Sequence, residues 1–222
     1  MATHHVVPIE VNQRSLRKSQ WEKLTKQNPK RWRRTPVVTI AHLTSEKRLA
    51  AYLAGDFSSS SSGWNSKGKS VMNDHYRSFE SKIEAYRYAE DLVEELRNKH
   101  WRVFYDDKPN RRVYILRLKK RVWEKKPAFA KENGGKKSDW KDFLYVGETE
   151  KTVEERYKIH TVKVGGKRHK FSSKIVHKHA NGIAHDLMEE LGDTLYRQAG
   201  ALEKERDVAL ELRKRGYATW FN

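Results

Sequence analysis

"LYVGETEKTVEERYKIH", residues 144–160, is the stretch that decides the reading. Leu144, Tyr145 and Val146 open it as a buried strand, the chain is expected to turn at Gly147, and the residues after the glycine are mostly charged. Thr152, with Glu155 three residues on, is a capping-box pattern and marks a helix start. Along that helix Val153, Arg156, Tyr157 and His160 fall at i, i+3, i+4 and i+7, so they share one face. A solvated helix would turn Val153 inward and Arg156 outward. Here an apolar residue, a fixed cation and a titratable ring point together, toward the strand carrying Tyr145. The stretch is either a plain strand–turn–helix unit or half of a site that grips a phosphodiester.

Composition narrows the choice of partner. The chain of 222 residues carries 47 Lys+Arg against 29 Asp+Glu, a formal net charge of +18. Such an excess calls for a polyanion, and nucleic acid is the commonest one, because phosphate contacts supply most non-specific affinity. The charge selects a partner and not an activity. With 36% hydrophobic and 11% aromatic residues there is enough apolar material for a packed core. Cysteine is absent, which excludes disulfides, Cys-ligated zinc and thiol catalysis. The start "MATHHVVPIEVNQRSLRK" lacks the apolar core of a signal peptide, and no apolar run is long enough to span a membrane. The expectation is a soluble, cytoplasmic protein with no membrane partner, nucleoid-associated if prokaryotic.

The chain is expected to divide near Asp106 to Asn110, into residues 1–107 and 108–222. Residues 1 to about 35 read as a basic arm ending in "NPKRWRRTP", where Arg31 and Arg33 flank Trp32; charge beside a stacking surface suits DNA binding. "VVTIAHL" reads as a strand, "SEKRLAAYLAG" as a short helix stopped at Gly55, and "DFSSSSSGWNSKGKS" as a loop. "SKIEAYRYAEDLVEELRNK" has a capping-box start at Ser81 and Glu84, with an apolar stripe of Ile83, Tyr86, Ala89, Val93 and Leu96. "WRVFY" and "VYILRL" read as strands, "KKRVWEKKPAFAKENGGKKSDWKD" as an exposed excursion, and Thr194 to Lys214 as a long helix ending at Gly216. The whole is α+β: a small antiparallel or mixed sheet flanked by helices, preceded by an α+β module and the basic arm.

Two motifs are set aside. "GWNSKGKS", residues 63–70, fits the phosphate-loop expression, but a serine run precedes it and no confident helix comes after it, so it reads as a loop. His169, His177, His179 and His185 lie close in sequence, yet none forms the helical pair around a carboxylate that a zinc hydrolase uses.

A strand ending in tyrosine at "RVYILRL", a second reading "LYVGET", then Arg156 and His160 on the next helix, together resemble the GIY-YIG nuclease family. The resemblance covers roughly residues 112–222. It matches Tyr114 to the first tyrosine, Tyr145 and Gly147 to the second motif, Arg156 to the arginine and His160 to the histidine. Arg112 stands where the first motif has its glycine, and the interval from Tyr114 to Tyr145 is longer than usual. The resemblance implies a metal-dependent DNA endonuclease with one Mg²⁺ or Mn²⁺ held by a glutamate on a later helix. It further implies in-line attack of water with tyrosine taking the proton, and a homodimer as one way to cut both strands. Site-specific restriction-type and structure-specific or defence nucleases both stay open. Asn222 is the only asparagine that could match the family's late one.

Helical geometry separates the glutamates. Leu202, Val208, Ala209 and Leu212 stand at −3, +3, +4 and +7 from Glu205, so Glu205 lies in the apolar stripe, whereas Glu203 faces Arg206 and Asp207. A carboxylate on a buried face is costly unless paired or bound to a cation. Glu205 is the expected catalytic metal ligand, with Glu203 in reserve and a structural ion pair as the bland alternative. Lys136, Lys137, Lys167 and Arg168 are expected to hold the DNA backbone. The rival reading is a non-catalytic basic nucleic-acid-binding protein.

Overall fold

The structure, a computed structural model, describes residues 3–11, 36–58, 65–164, 167–169 and 173–221. It is α+β, and the chain divides into two compact units, Met1–Asp107 and Lys108–Asn222. Strands and α-helices are numbered in chain order. Among the described residues no helix is long and apolar enough to cross a membrane.

The first unit is built on β1 (His4–Val11) and β2 (Val37–Leu43), antiparallel and buried on both faces. One face packs on α2 (Lys82–Asn98) through Val6, Val38, Ile40, Ala89, Leu92 and Leu96. The other packs on α1 (Glu46–Leu53) through Val7, Ile9, Leu49 and Tyr52. β3 (Gly68–Val71) and β4 (Arg77–Phe79) both pair with β1, and β5 (Arg102–Phe104) runs parallel to β2.

The arm expected from residue 1 is therefore corrected: His4–Val11 is a central strand. Pro8 disguises it, since a proline ordinarily argues against a central strand. It is tolerated because β4 pairs with His4–Val6 and β3 with Ile9–Val11, leaving Pro8 at the junction. The phosphate-loop look-alike is also resolved. Its Gly68 opens the strand β3 where a phosphate loop would open an α-helix, and a Cβ there would stand 2.6 Å from the Phe57 ring. Glycine lets the strand close on that ring.

The second unit carries a four-stranded mixed sheet in the order β10 (Ala180–Ile183), β6 (Arg112–Leu118), β7 (Phe143–Thr149), β11 (Ala218–Trp220). β6 is antiparallel to both β10 and β7, and β11 is parallel to β7. Alternation along β6 and β7 sends Val113, Ile115, Leu144 and Val146 to one face, against α7 (His185–Glu189) and α8 (Gln198–Lys214). Tyr114, Leu116, Phe143 and Tyr145 go to the other face. There they meet α5 (Val153–Thr161) and α6 (Lys174–His179), together with α3 (Val122–Lys125) and α4 (Pro127–Asn133). β8 (Lys163–Val164) and β9 (Lys167–Arg168) form a separate short ribbon.

The excursion expected between the two central strands is a second correction. α3 and α4 bury Val122 and Phe129 completely, and Trp123 and Trp140 pack beside them. A lysine-rich composition concealed two helices whose large apolar residues face inward. β10 and β11 likewise carry no sequence signal, being three- or four-residue strands too short for periodicity to register.

Candidate active site

The register of the central pair sets Tyr114 directly opposite Gly147, and Leu116 opposite Tyr145. Both phenols thus rise from the same face, diagonal neighbours with ring centroids 6.0 Å apart. β7 does not turn at Gly147, as the sequence suggested, but continues to Thr149. The glycine serves a different need. A Cβ at 147 would lie 2.7 Å from the Tyr114 hydroxyl and 2.7 Å from Tyr145 Cε1. Only a residue without a side chain lets the two rings close over the strand.

α5 starts as the capping box requires: Thr152 accepts from the Glu155 N–H and Glu155 accepts from the Thr152 N–H, both at 3.2 Å. With that start fixed, Val153 and His160 face the core and Arg156 and Tyr157 are half-buried. His160 lies 2.8 Å from the Tyr114 hydroxyl through Nε2, and the Ser173 N–H donates to its Nδ1 at 3.1 Å. A backbone N–H can only donate, so Nδ1 is the bare nitrogen and the proton of the neutral ring sits on Nε2. His160 therefore donates to Tyr114. Burial, with Arg156 and His177 adding to it, lowers the imidazole to about 3, which keeps it neutral. The Arg156 Nε–H also donates to Tyr114, at 3.4 Å, and the Tyr145 and Tyr114 hydroxyls are hydrogen-bonded to each other.

Burial pushes Tyr114 up to about 12, against the opposing pull of the Arg156 charge. Burial also holds Tyr145 well above the usual phenol range, and the charges of Tyr114 and Glu205 raise it further. Glu205 lies on α8 within the stripe of Leu202, Val208, Ala209 and Leu212, and is 2% exposed. Its charge acts on both phenols, raising each. Glu203, its alternative, is half-buried. Four of the five expected catalytic residues are closed from solvent, with Tyr114 and His160 at 0% and Tyr145 at 1%. Only Arg156 is partly open.

A hard divalent cation takes oxygen ligands, and Mg²⁺ commonly needs only one or two protein carboxylates, with water and phosphate completing its shell. An inward carboxylate whose field reaches two phenols suits that chemistry. Among the described residues no three His, Asp or Glu side chains converge as a metal cage. Any ion here would be held by Glu205 with water and substrate oxygens.

The expected backbone contacts are less uniform. Lys136 is exposed, but Lys137 is paired with Glu124 at 2.6 Å, so its charge is already met. Lys167 and Arg168 form β9 and their side chains lie outside those described, as do Arg31, Trp32, Arg33 and Asn222 altogether. The sequence reading missed the support around the phenols. His177 Nδ1 donates to the His160 carbonyl at 2.8 Å, so the N-cap and the fourth residue of α6 both hold His160 near the end of α5. Arg111 pairs with Glu148 at 2.6 Å and also with Glu150, fixing the end of β7. Arg112, on the same side of β6 as Tyr114, has a buried Nε that makes no hydrogen bond. Compared with protein-family models, curated proteins and solved structures, the chain matches none.

Proposed function

We propose that the second unit is a metal-dependent DNA endonuclease that hydrolyses phosphodiester bonds. The observation that carries this reading is the gathering of Tyr114, Tyr145, Arg156 and His160 over Gly147, with an inward carboxylate on α8 acting on both phenols. Each group has a chemical part. Arg156, half-buried and always charged, neutralises negative charge growing on the phosphate oxygens. Tyr114 would accept the proton of the attacking water as a phenolate, so its own proton must first pass to solvent, drawn off by the charges of Arg156 and the bound cation against the burial that holds the phenol at about 12. His160 cannot do so, because its bare nitrogen is occupied by the Ser173 N–H; it stabilises negative charge on Tyr114 by donating to it. Tyr145 bonds the same oxygen and positions it. Glu205 would hold the cation, and Mg²⁺ or Mn²⁺ when bound supplies charge that polarises the phosphate and stabilises the leaving oxygen. The net charge of +18 fits a DNA substrate. Cutting both strands of a duplex with one site per chain would call for a homodimer.

A second reading, a non-catalytic nucleic-acid-binding protein, is favoured by the closure of the phenols and Glu205 from solvent. In that case the same hydrogen bonds only stiffen the unit. Supercoiled plasmid incubated with Mg²⁺ separates the two. Nicking by the wild-type chain that disappears in Glu205→Gln supports the nuclease. Nicking that survives the substitution removes Glu205 as the ligand, and a wild-type chain that never nicks leaves the binding protein.

A further inference from the structure

His179 ends α6 on the side away from the phenols, 4% exposed, and its Nδ1 is buried without a hydrogen-bond partner. The fold crowds cations around it. The Lys119 N–H donates to the His179 carbonyl at 2.7 Å, which seats the end of β6 against the end of α6. Arg121 reaches the Lys178 carbonyl at 3.4 Å. The charges of Arg121, Lys126, Lys178 and Lys119 all bear on the imidazole, which burial already holds below its ordinary value, and no described acid is among the groups acting on it. Lys119, Arg121 and Lys178 are exposed and Lys126 is half-buried. None of the four is in an ion pair with a described acid, whereas the neighbouring Lys137 is. Four like charges gathered without a described acid to pair them repel one another, and a neutral buried imidazole in their midst leaves one more polar atom unsatisfied. Such a place is completed by an anion.

We propose that Lys119, Arg121, Lys126 and Lys178 around His179 form a phosphate-binding site for the backbone of the nucleic acid. The identity of the anion rests on the nucleic-acid reading above, but not on cleavage. α6 connects the two places: Ser173 at its start bonds His160, and His179 closes its end. Six residues of helix span about 9 Å at ~1.5 Å each. A nucleic-acid strand advances about 3.4 Å per phosphate along its axis, so the length of α6 alone corresponds to roughly two to three nucleotides. The site would fix the strand's register over the phenols without reading its bases.

The test uses the full chain and a fluorescent duplex in EDTA, so that no cutting intervenes. Lys119→Ala/Arg121→Ala is compared with Lys47→Ala/Lys151→Ala, which removes the same charge from exposed positions elsewhere. The cluster variant is expected to bind on the order of tenfold more weakly at ~0.1 M salt, with the slope of log K against log salt reduced by about 1.8 for two lost contacts. In the wild type, addition of duplex is expected to move the His179 ring signals in NMR toward the protonated form, as the surrounding charge is neutralised. Equal losses in the two variants, or a His179 signal indifferent to duplex, would overturn the proposal. A chain that binds this way but never nicks plasmid keeps the phosphate site and loses the nuclease.

Discussion

Replacing Gly147 by alanine tests the architecture of the site with a single methyl group. The added Cβ meets the Tyr114 hydroxyl and Tyr145 Cε1 at 2.7 Å and Tyr114 Cζ at 2.8 Å, about an ångström inside comfortable contact. The far end of a free side chain would swing away at little cost. Tyr114 cannot, because it is fully buried and tied to His160 at 2.8 Å and to Arg156. Overpacking of this kind costs about 1–3 kcal/mol. The gain from replacing a strand glycine offsets only about 0.5–1 kcal/mol of it. A net loss of up to about 2.5 kcal/mol is expected, and hydrogen exchange of the β6 and β7 amides measures it within this unit. Cleavage should fall much further, about a hundredfold, since a misplacement near 1 Å suffices for that. An alanine variant as protected as the wild type, with unshifted tyrosine ring signals, would refute the reasoning.

The same contacts set three other outcomes. Arg156→Ala should lower plasmid nicking by about 10²–10³-fold and raise the Tyr114 phenol further, since Arg156 is the largest influence holding it down; kinetics and ultraviolet titration read the two effects. Phe129→Ala should destabilise the second unit by about 3–5 kcal/mol in urea unfolding, because the ring is fully buried against Phe143 and Trp220. Acid should weaken both units. Burial lowers His160 to about 3 and His42 to about 4, with His4 and Lys82 adding to the latter. The unfolded chain therefore binds protons that the folded one refuses, and stability present above pH ~6.5 is lost as pH falls toward those values. Unfolding midpoints measured from neutral pH down to about 4 should decline, and His42→Asn should flatten the decline for the first unit.

What could be read in the residues, and what could not, divides along a physical line. Local chemistry was legible. The Thr152–Glu155 capping box, the strand over Val37–Leu43 and the inward face of Glu205 each depend on spacings within one element, and each stands as read. That the two tyrosine strands are neighbours was also expected, but their register was not legible, and it is register that gives Gly147 its purpose. Nothing local distinguishes a glycine that turns a chain from one that admits two rings. The register that sets it opposite Tyr114 depends on a partner strand far away in sequence.

The same holds for protonation. Sequence spacing put His160 on the helix face turned toward Tyr145 but did not show which of its ring nitrogens carries the proton. The deciding atom is the backbone nitrogen of Ser173, well beyond the helix that carries His160 and marked by no side-chain signal at all. By occupying Nδ1 it commits Nε2–H to Tyr114, so in the proposed hydrolysis the imidazole donates to the phenol and has no bare nitrogen with which to take a proton from water. His160→Gln tests that assignment. An amide can still donate to Tyr114 but cannot titrate, so a variant that keeps cleavage within about tenfold, with an unchanged acid limb in its pH profile, fits a donor. A loss of about 10²–10⁴-fold together with loss of that limb would restore the imidazole as the base.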